Sequence, residues 1–212
     1  MRWLVTIALV VFCVFQTIAA VQDSEAFSVE GLKTNFTMQV SQQGWVGGNY
    51  YQIAEAANDP AFGKPRVVQL LEALKDEAKS MDAVLLYLID PGEIVPCMIR
   101  VHPAKPAGGM TADKFTADWG HDLADALQKD EPPGSVAELK YYMGSDKHRV
   151  GGRPAVRMLI EVTRAKRGRY VHVVDLVVLG QQIQMFTLKC DERLSQARVP
   201  EYEAMLRTVK YR

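Results

Sequence analysis

The sequence predicts an α+β domain in which helices flank a central, mainly antiparallel sheet (an α/β/α sandwich), preceded by a signal peptide. Three observations carry this reading. Residues 153–190, RPAVRMLIEVTRAKRGRYVHVVDLVVLGQQIQMFTLKC, read as three long strands joined by two tight turns. Two upstream stretches, beginning near Pro65 and Thr111, repeat apolar residues at helical spacing. The first twenty residues differ in kind from all that follows.

That leader has Arg2 before an apolar run from Trp3 to Phe15, then Gln16-Thr17-Ile18-Ala19-Ala20 and the polar VQDSEA. A short basic end, an apolar centre and small residues before a polar switch describe a secretory signal peptide. Cleavage after Ala19 or Ala20 satisfies the small-residue rule. Trp3 to Val21 is also just long enough for an uncleaved anchor, although Thr6, Gln16 and Thr17 dilute the run. The expected division is therefore 1–20, signal peptide, and 21–212, one domain, destined for the periplasm or the exterior. Contact with a membrane is expected only through the leader, if it is retained. Of the 212 residues, 48% are hydrophobic, enough for a substantial core. Twenty-five basic residues balance twenty-five acidic ones, which argues neither for general nucleic-acid binding nor for strong attraction to a membrane surface, and no nucleic-acid partner is expected.

Residues 27–40 suggest a first strand or irregular hairpin, followed by a glycine-rich loop around Trp45. Pro65 suits a first helical turn, and Val67, Leu70, Leu71, Leu74, Ala78 and Met81 then mark one helix face, with Glu72, Lys75, Asp76 and Lys79 outward. DAVLLYLID and IVPCMIRVH read as two strands around a Pro91-Gly92 turn. A second helix follows Thr111, with Phe115, Trp119, Leu123, Ala126 and Leu127 on its apolar stripe. DEPPGS breaks it at 130–135, one more strand leads into the meander, and a short helix from about Pro200 to Val209 closes the chain.

Within the meander, Val156, Met158, Ile160 and Val162 alternate with Arg157, Glu161 and Thr163, the period of a half-buried strand. YVHVVDLVVL is apolar on both faces apart from His172 and Asp175, which places it inside the sheet. Gly168 suits one hairpin turn, and Gly180-Gln181 suits the other as a two-residue turn with glycine first.

Cys97 lies on the strand face of Val95, Ile99 and Val101, and Cys190 on that of Phe186 and Leu188. In an oxidising compartment this pair is a candidate disulfide closing a loop of about ninety residues. Two buried thiols acting as small hydrophobes fit the same pattern.

His148-Arg149-Val150-Gly151-Gly152-Arg153-Pro154-Ala155, the strand after it, and Phe186-Thr187-Leu188 before a final helix ending MLRTVKYR are the marks of a resemblance. The chain resembles the PsbP-like superfold, which includes thylakoid PsbP proteins, a nuclear Ran-release factor and exported bacterial proteins of the DcrB and LpqN types. The resemblance spans most of residues 27–212. It implies an α/β/α sandwich around an antiparallel sheet and a role in binding or assembly. It supplies no catalytic residue and no cofactor.

Asp118, His121, Asp122 and Asp125 share one flank of the second predicted helix, so Asp118, His121 and Asp125 are the candidate metal ligands. A metal site needs ligands converging from other elements, and an acidic solvated face explains the same letters. There is no G-x-S-x-G, C-x-x-C or H-E-x-x-H pattern and no phosphate-cradling glycine loop. No catalytic residue or cofactor site is assigned. Residues 138–169 hold nine basic residues against three acidic ones, and Arg164, Lys166, Arg167 and Arg169 at the hairpin tip are the candidate partner contacts. The functional expectation is an exported, non-enzymatic binding or assembly protein of the cell envelope, with a protein or lipid partner. The alternative is an exported metal-dependent enzyme or hydrolase built from scattered residues.

Overall fold

The computed structural model describes residues 26–41, 44–58, 65–87, 97–108, 136–143, 148–164 and 168–212. The leader, the second predicted helix with Asp118, His121 and Asp125, and Lys166 and Arg167 lie outside these residues.

Strands β9 (Arg153–Arg164), β10 (Gly168–Leu179) and β11 (Gln182–Asp191) form the expected meander. Leu179 pairs with Gln182 across Gly180, whose φ of 63° is the left-handed value that a glycine-first hairpin turn requires. Strands β3 (Trp45–Gly48), β4 (Ala83–Tyr87), β5 (Cys97–Val101) and β7 (Val136–Met143) extend the sheet in the order β3-β4-β5-β11-β10-β9-β7. Two short strands attach at the side: β6 (Lys105–Pro106) on β11 and β8 (Arg149–Val150) on β9. Every pairing is antiparallel. β10 lies between two partners, as its apolar sequence requires.

Helices cover both faces. On one, α1 (Tyr50–Asn58) and α2 (Pro65–Ala78) bury Ile53, Ala57, Leu74 and Ala78 against Val84 and Leu86. On the other, α3 (Glu192–Arg207) lays Tyr202, Met205 and Leu206 over Val171, Val173, Phe186 and Leu188. A second sheet shares that face, with β1 (Ala26–Glu30), β2 (Phe36–Ser41) and the C-terminal β12 (Lys210–Tyr211) in the order β1-β2-β12. Val29, Phe36, Met38 and Val40 carry it into the largest apolar cluster.

Three expectations change. The loop after Trp45 contains α1, because Asn49 caps it: its Oδ1 accepts from the N–H groups of Tyr51 and Gln52 at 3.0 and 3.1 Å, and Gln52 Oε1 accepts from Asn49 N–H in return. The closing helix starts at Glu192, eight residues before Pro200, because the Asp191 carboxylate accepts from Arg193 N–H and sets the N-terminus there. Arg157 does not face solvent, since α3 covers its side of β9 and leaves the side chain 20% exposed.

Asp82 joins the two sheets. Wholly buried just before β4, it accepts from Lys33 N–H at 2.6 Å, Thr34 N–H at 3.1 Å and Gln184 Nε2 at 3.1 Å. Tyr211 of β12 donates to Gln184 Oε1 at 2.9 Å, so one polar network ties the β1–β2 loop, the main sheet and the chain's last strand.

His102, just past β5, sits beside a cavity of about 240 Å³ lined also by Pro103, Lys105, Pro106, Ala107, Ile183 and Met185. Burial, helped by the nearby Arg100 and Lys105 charges, depresses its pKa to about 4. In the unfolded chain it takes up a proton near pH 6.5. The unfolded state therefore binds the extra proton between those values, and stability is full above about pH 6.5 and declines as pH falls toward 4. Urea titrations at pH 7 and pH 4.5 should differ by about 1–3 kcal/mol from this group. A His102→Gln variant should flatten that part of the pH dependence; an unchanged profile refutes the assignment.

Candidate functional site

Among the described residues, a dense grouping of polar side chains lies where β8, β9, β10 and α3 meet. Its floor is Asp175, a charged residue with no solvent exposure in the middle of β10. An isolated carboxylate there would be very costly to bury. The register resolves the problem by setting Arg157 of β9 directly opposite. Arg157 donates from Nε to Oδ1 at 2.9 Å and from Nη2 to Oδ2 at 3.2 Å, a two-pronged pairing, and its Nη1 reaches Glu203 on α3. His148 Nε2 approaches Asp175 Oδ1 to 2.6 Å. Burial opposes the Arg157 charge, but the bonds to Asp175 outweigh it and hold the guanidinium more firmly protonated than usual. Burial first, and the Asp175 carboxylate second, push the Tyr202 phenol well above its ordinary value, so it stays neutral.

Above this floor opens a cavity of about 190 Å³ lined by His148, Arg149, Arg157, Glu203, Leu206 and Arg207. The β8–β9 hairpin forms its lip. Arg149 pairs with Pro154 and Val150 with Arg153 around Gly151-Gly152, whose φ values of 56° and 74° are those of a two-residue turn with both central positions left-handed. A Cβ on Gly151 would come within 3.0 Å of the Tyr211 ring and of Val209 O, so the turn sits tightly on the C-terminal segment. That contact brings residues 149–153 beside 207–211, and with them three exposed arginines, Arg149, Arg153 and Arg207. Arg207 is 77% exposed and only loosely paired with Glu203, at 3.8 Å. Arg149 Nη1 donates to Gly152 O at 3.0 Å, which pins its stem while leaving other donors outward.

No family model matches the sequence, and no curated protein matches it. Solved structures do. The solution structure of cyanobacterial PsbP (CyanoP) from Synechocystis sp. PCC 6803 superposes with a TM-score of 0.55 at 11% identity, over 89% of this chain and 94% of that one. The fold is PsbP-like. The crystal structure of the Saccharomyces cerevisiae Ran-binding protein Mog1p is similar too, with a TM-score of 0.51 at 12% identity, over 89% and 96% of the two chains.

Within the PsbP-like fold the residues expected to matter fall into three groups. Asp118, His121, Asp125, Lys166 and Arg167 lie outside the described residues, and among the described residues no three His, Cys, Asp or Glu side chains are grouped to hold a metal. Arg164 ends β9, opposite Gly168 and Val136. Arg169 is exposed and lies 3.4 Å from Glu192 at the start of α3, a surface pair of small energetic weight. Cys97 and Cys190 come to neighbouring strands. The pocket residues His148, Arg157, Asp175 and Glu203 were not singled out as a site in the sequence. The available signal was Asp175 itself, a charge inside an apolar strand that must find a partner.

Proposed function

We propose that the chain is an exported, non-catalytic binding protein of the cell envelope, and that its pocket beside the Gly151-Gly152 turn takes a carboxylate side chain from an acidic segment of a protein partner. The observation that carries this is the pair of exposed arginines, Arg149 and Arg207, lining the cavity above a floor whose own charges already neutralise one another. A guanidinium offers parallel donors that match a carboxylate, and a rigid floor reduces the cost of ordering them. The concave opening suits one inserted side chain better than the flat headgroup plane of a lipid surface. His148 against Asp175 has the look of a catalytic pair, but the lining has no hydroxyl or thiol to activate, and Arg157 already occupies both carboxylate oxygens.

The hydrophobic leader supports export, and the PsbP-like fold supports kinship with the exported DcrB-type and LpqN-type proteins. The Saccharomyces protein of this fold is Ran-binding, which supports a protein partner. Export is tested by sequencing the N-terminus of protein from the envelope fraction, expected to begin after Ala19 or Ala20.

The binding reading is tested with a fluorescent glutamate-rich peptide in low salt, followed by anisotropy. Arg149→Glu with Arg207→Glu should weaken binding at least tenfold, and added salt should weaken the parent complex. Binding unchanged by the double reversal refutes the site. Equal or stronger dependence on the same arginines for vesicles containing phosphatidylserine would move the assignment to a lipid surface.

A further inference from the structure

We propose that Cys97 and Cys190 form a cross-strand disulfide that locks β5 to β11 beneath α3. The two cysteines lie 93 positions apart in the sequence, yet the ladder sets them face to face. β5 and β11 pair in register from Phe186↔Val101 to Lys189↔Met98, and the next step of that register is Cys190 opposite Cys97. Their side chains point to the same side: Cys97 with Ile99 and Val101, Cys190 with Leu188 and Phe186, all inside the largest apolar cluster.

The kind of pairing matters as much as the register. His102 N–H donates to Met185 O at 2.8 Å, which marks 102/185 as a hydrogen-bonded pair. Bonded and non-bonded pairs alternate along an antiparallel ladder. Counting down, 100/187 and 98/189 are bonded, while 101/186, 99/188 and 97/190 are not. At non-bonded pairs the Cα atoms approach to about 4.5 Å and the side chains come closest, within the range of about 4.4–6.8 Å that a disulfide spans. Both stand as free, buried thiols in the structure. Burial keeps an oxidant from both sulfurs in the folded state, so the chemistry belongs to folding, before α3 closes over the strands.

The step is ordinary thiol–disulfide exchange. The thiolate of one cysteine attacks a disulfide oxidant, from a protein or a small molecule, and displaces one thiolate as a mixed disulfide forms. The second cysteine then attacks that mixed bond and displaces the other thiolate. Two S–H bonds are lost, one S–S bond is made, and two electrons and two protons pass to the oxidant, which leaves as two thiols. Both sulfurs are fully buried afterwards, so a reductant reaches them only when the sheet opens.

This inference does not depend on the arginine pocket, and its test does not depend on export. The reduced, denatured full chain is refolded with oxidised and reduced glutathione, alkylated in denaturant, digested and mapped by mass spectrometry. The expected product is a linked peptide pair containing Cys97 and Cys190, with Cys13 alkylated. Reduction of the refolded protein should lower its Tm by about 5–15 °C. The proposal is overturned if the protein regains its native circular dichroism with Cys97 and Cys190 both alkylated. It is equally overturned if either pairs with Cys13 or with another chain, or if oxidation lowers the Tm.

Discussion

Asp175→Ala is expected to cost about 3–5 kcal/mol of folding stability, the loss typical when one partner of a buried ion pair is removed. The carboxylate is completely buried and accepts both prongs of Arg157. Without it, the Arg157 guanidinium keeps only Glu203 as a charged partner beneath α3. Asp175→Asn should cost nearly as much, because an amide brings donors where Arg157 also points donors. Urea unfolding of the two variants beside the parent checks this. A loss below about 1 kcal/mol for both would mean that Arg157 turns out to solvent and that the pocket floor is not rigid. A double replacement, Asp175→Leu with Arg157→Met, should recover much of the loss, since an apolar pair of similar volume often matches a buried ion pair. It would at the same time remove the pocket's polar floor.

Asp82→Ala is expected to cost a comparable amount, about 3–5 kcal/mol, by a different route. It orphans the N–H groups of Lys33 and Thr34 and the Gln184 amide, each with a desolvation penalty of about 1–3 kcal/mol when left buried and unbonded. The damage should be regional. Hydrogen exchange should accelerate first in β1, β2 and β12, while amides in β9 and β10 keep their protection. Uniform acceleration across both sheets would show that the small sheet is not a separate cooperative layer.

These two carboxylates also show where sequence reasoning reached and where it stopped. The meander was readable because Val156, Met158, Ile160 and Val162 keep strict alternation and because Gly168 and Gly180 mark the turns. Alternation assigns a side chain to a face but does not say what covers that face. Alternation thus sets Arg157 on the polar face of the strand, although α3 covers it. The α3 start was missed because Pro200 imitates a first-turn proline, while the true cap is Asp191, itself the last residue of a strand. α1 was missed because its nine residues bury only Ile53 and Ala57, too few to show a period, although the Asn49–Gln52 capping pair stands in the sequence. The two-residue β12 carries no pattern at all. Without it the site stays hidden, since β12 draws residues 207–211 beside the glycine turn and brings Arg207 to Arg149. The cysteine pair was half legible: the inward faces were clear, but adjacency required a strand order that local sequence does not contain.

The place of β12 has a consequence for how the molecule comes into being. Tyr211 pairs with Phe36, and the backbone of Arg212 donates to Asn35 O at 3.0 Å, so residues 210–212 are partners of a segment far upstream in the sequence. β9 and β10 can assemble as a local hairpin, whereas the sheet holding Phe36 must close a long loop to bring β12 to β2, at a larger entropic cost. Until then the apolar side of β2 has no finished roof. Loss of residues 210–212 would therefore strip β2 of one of its two partners.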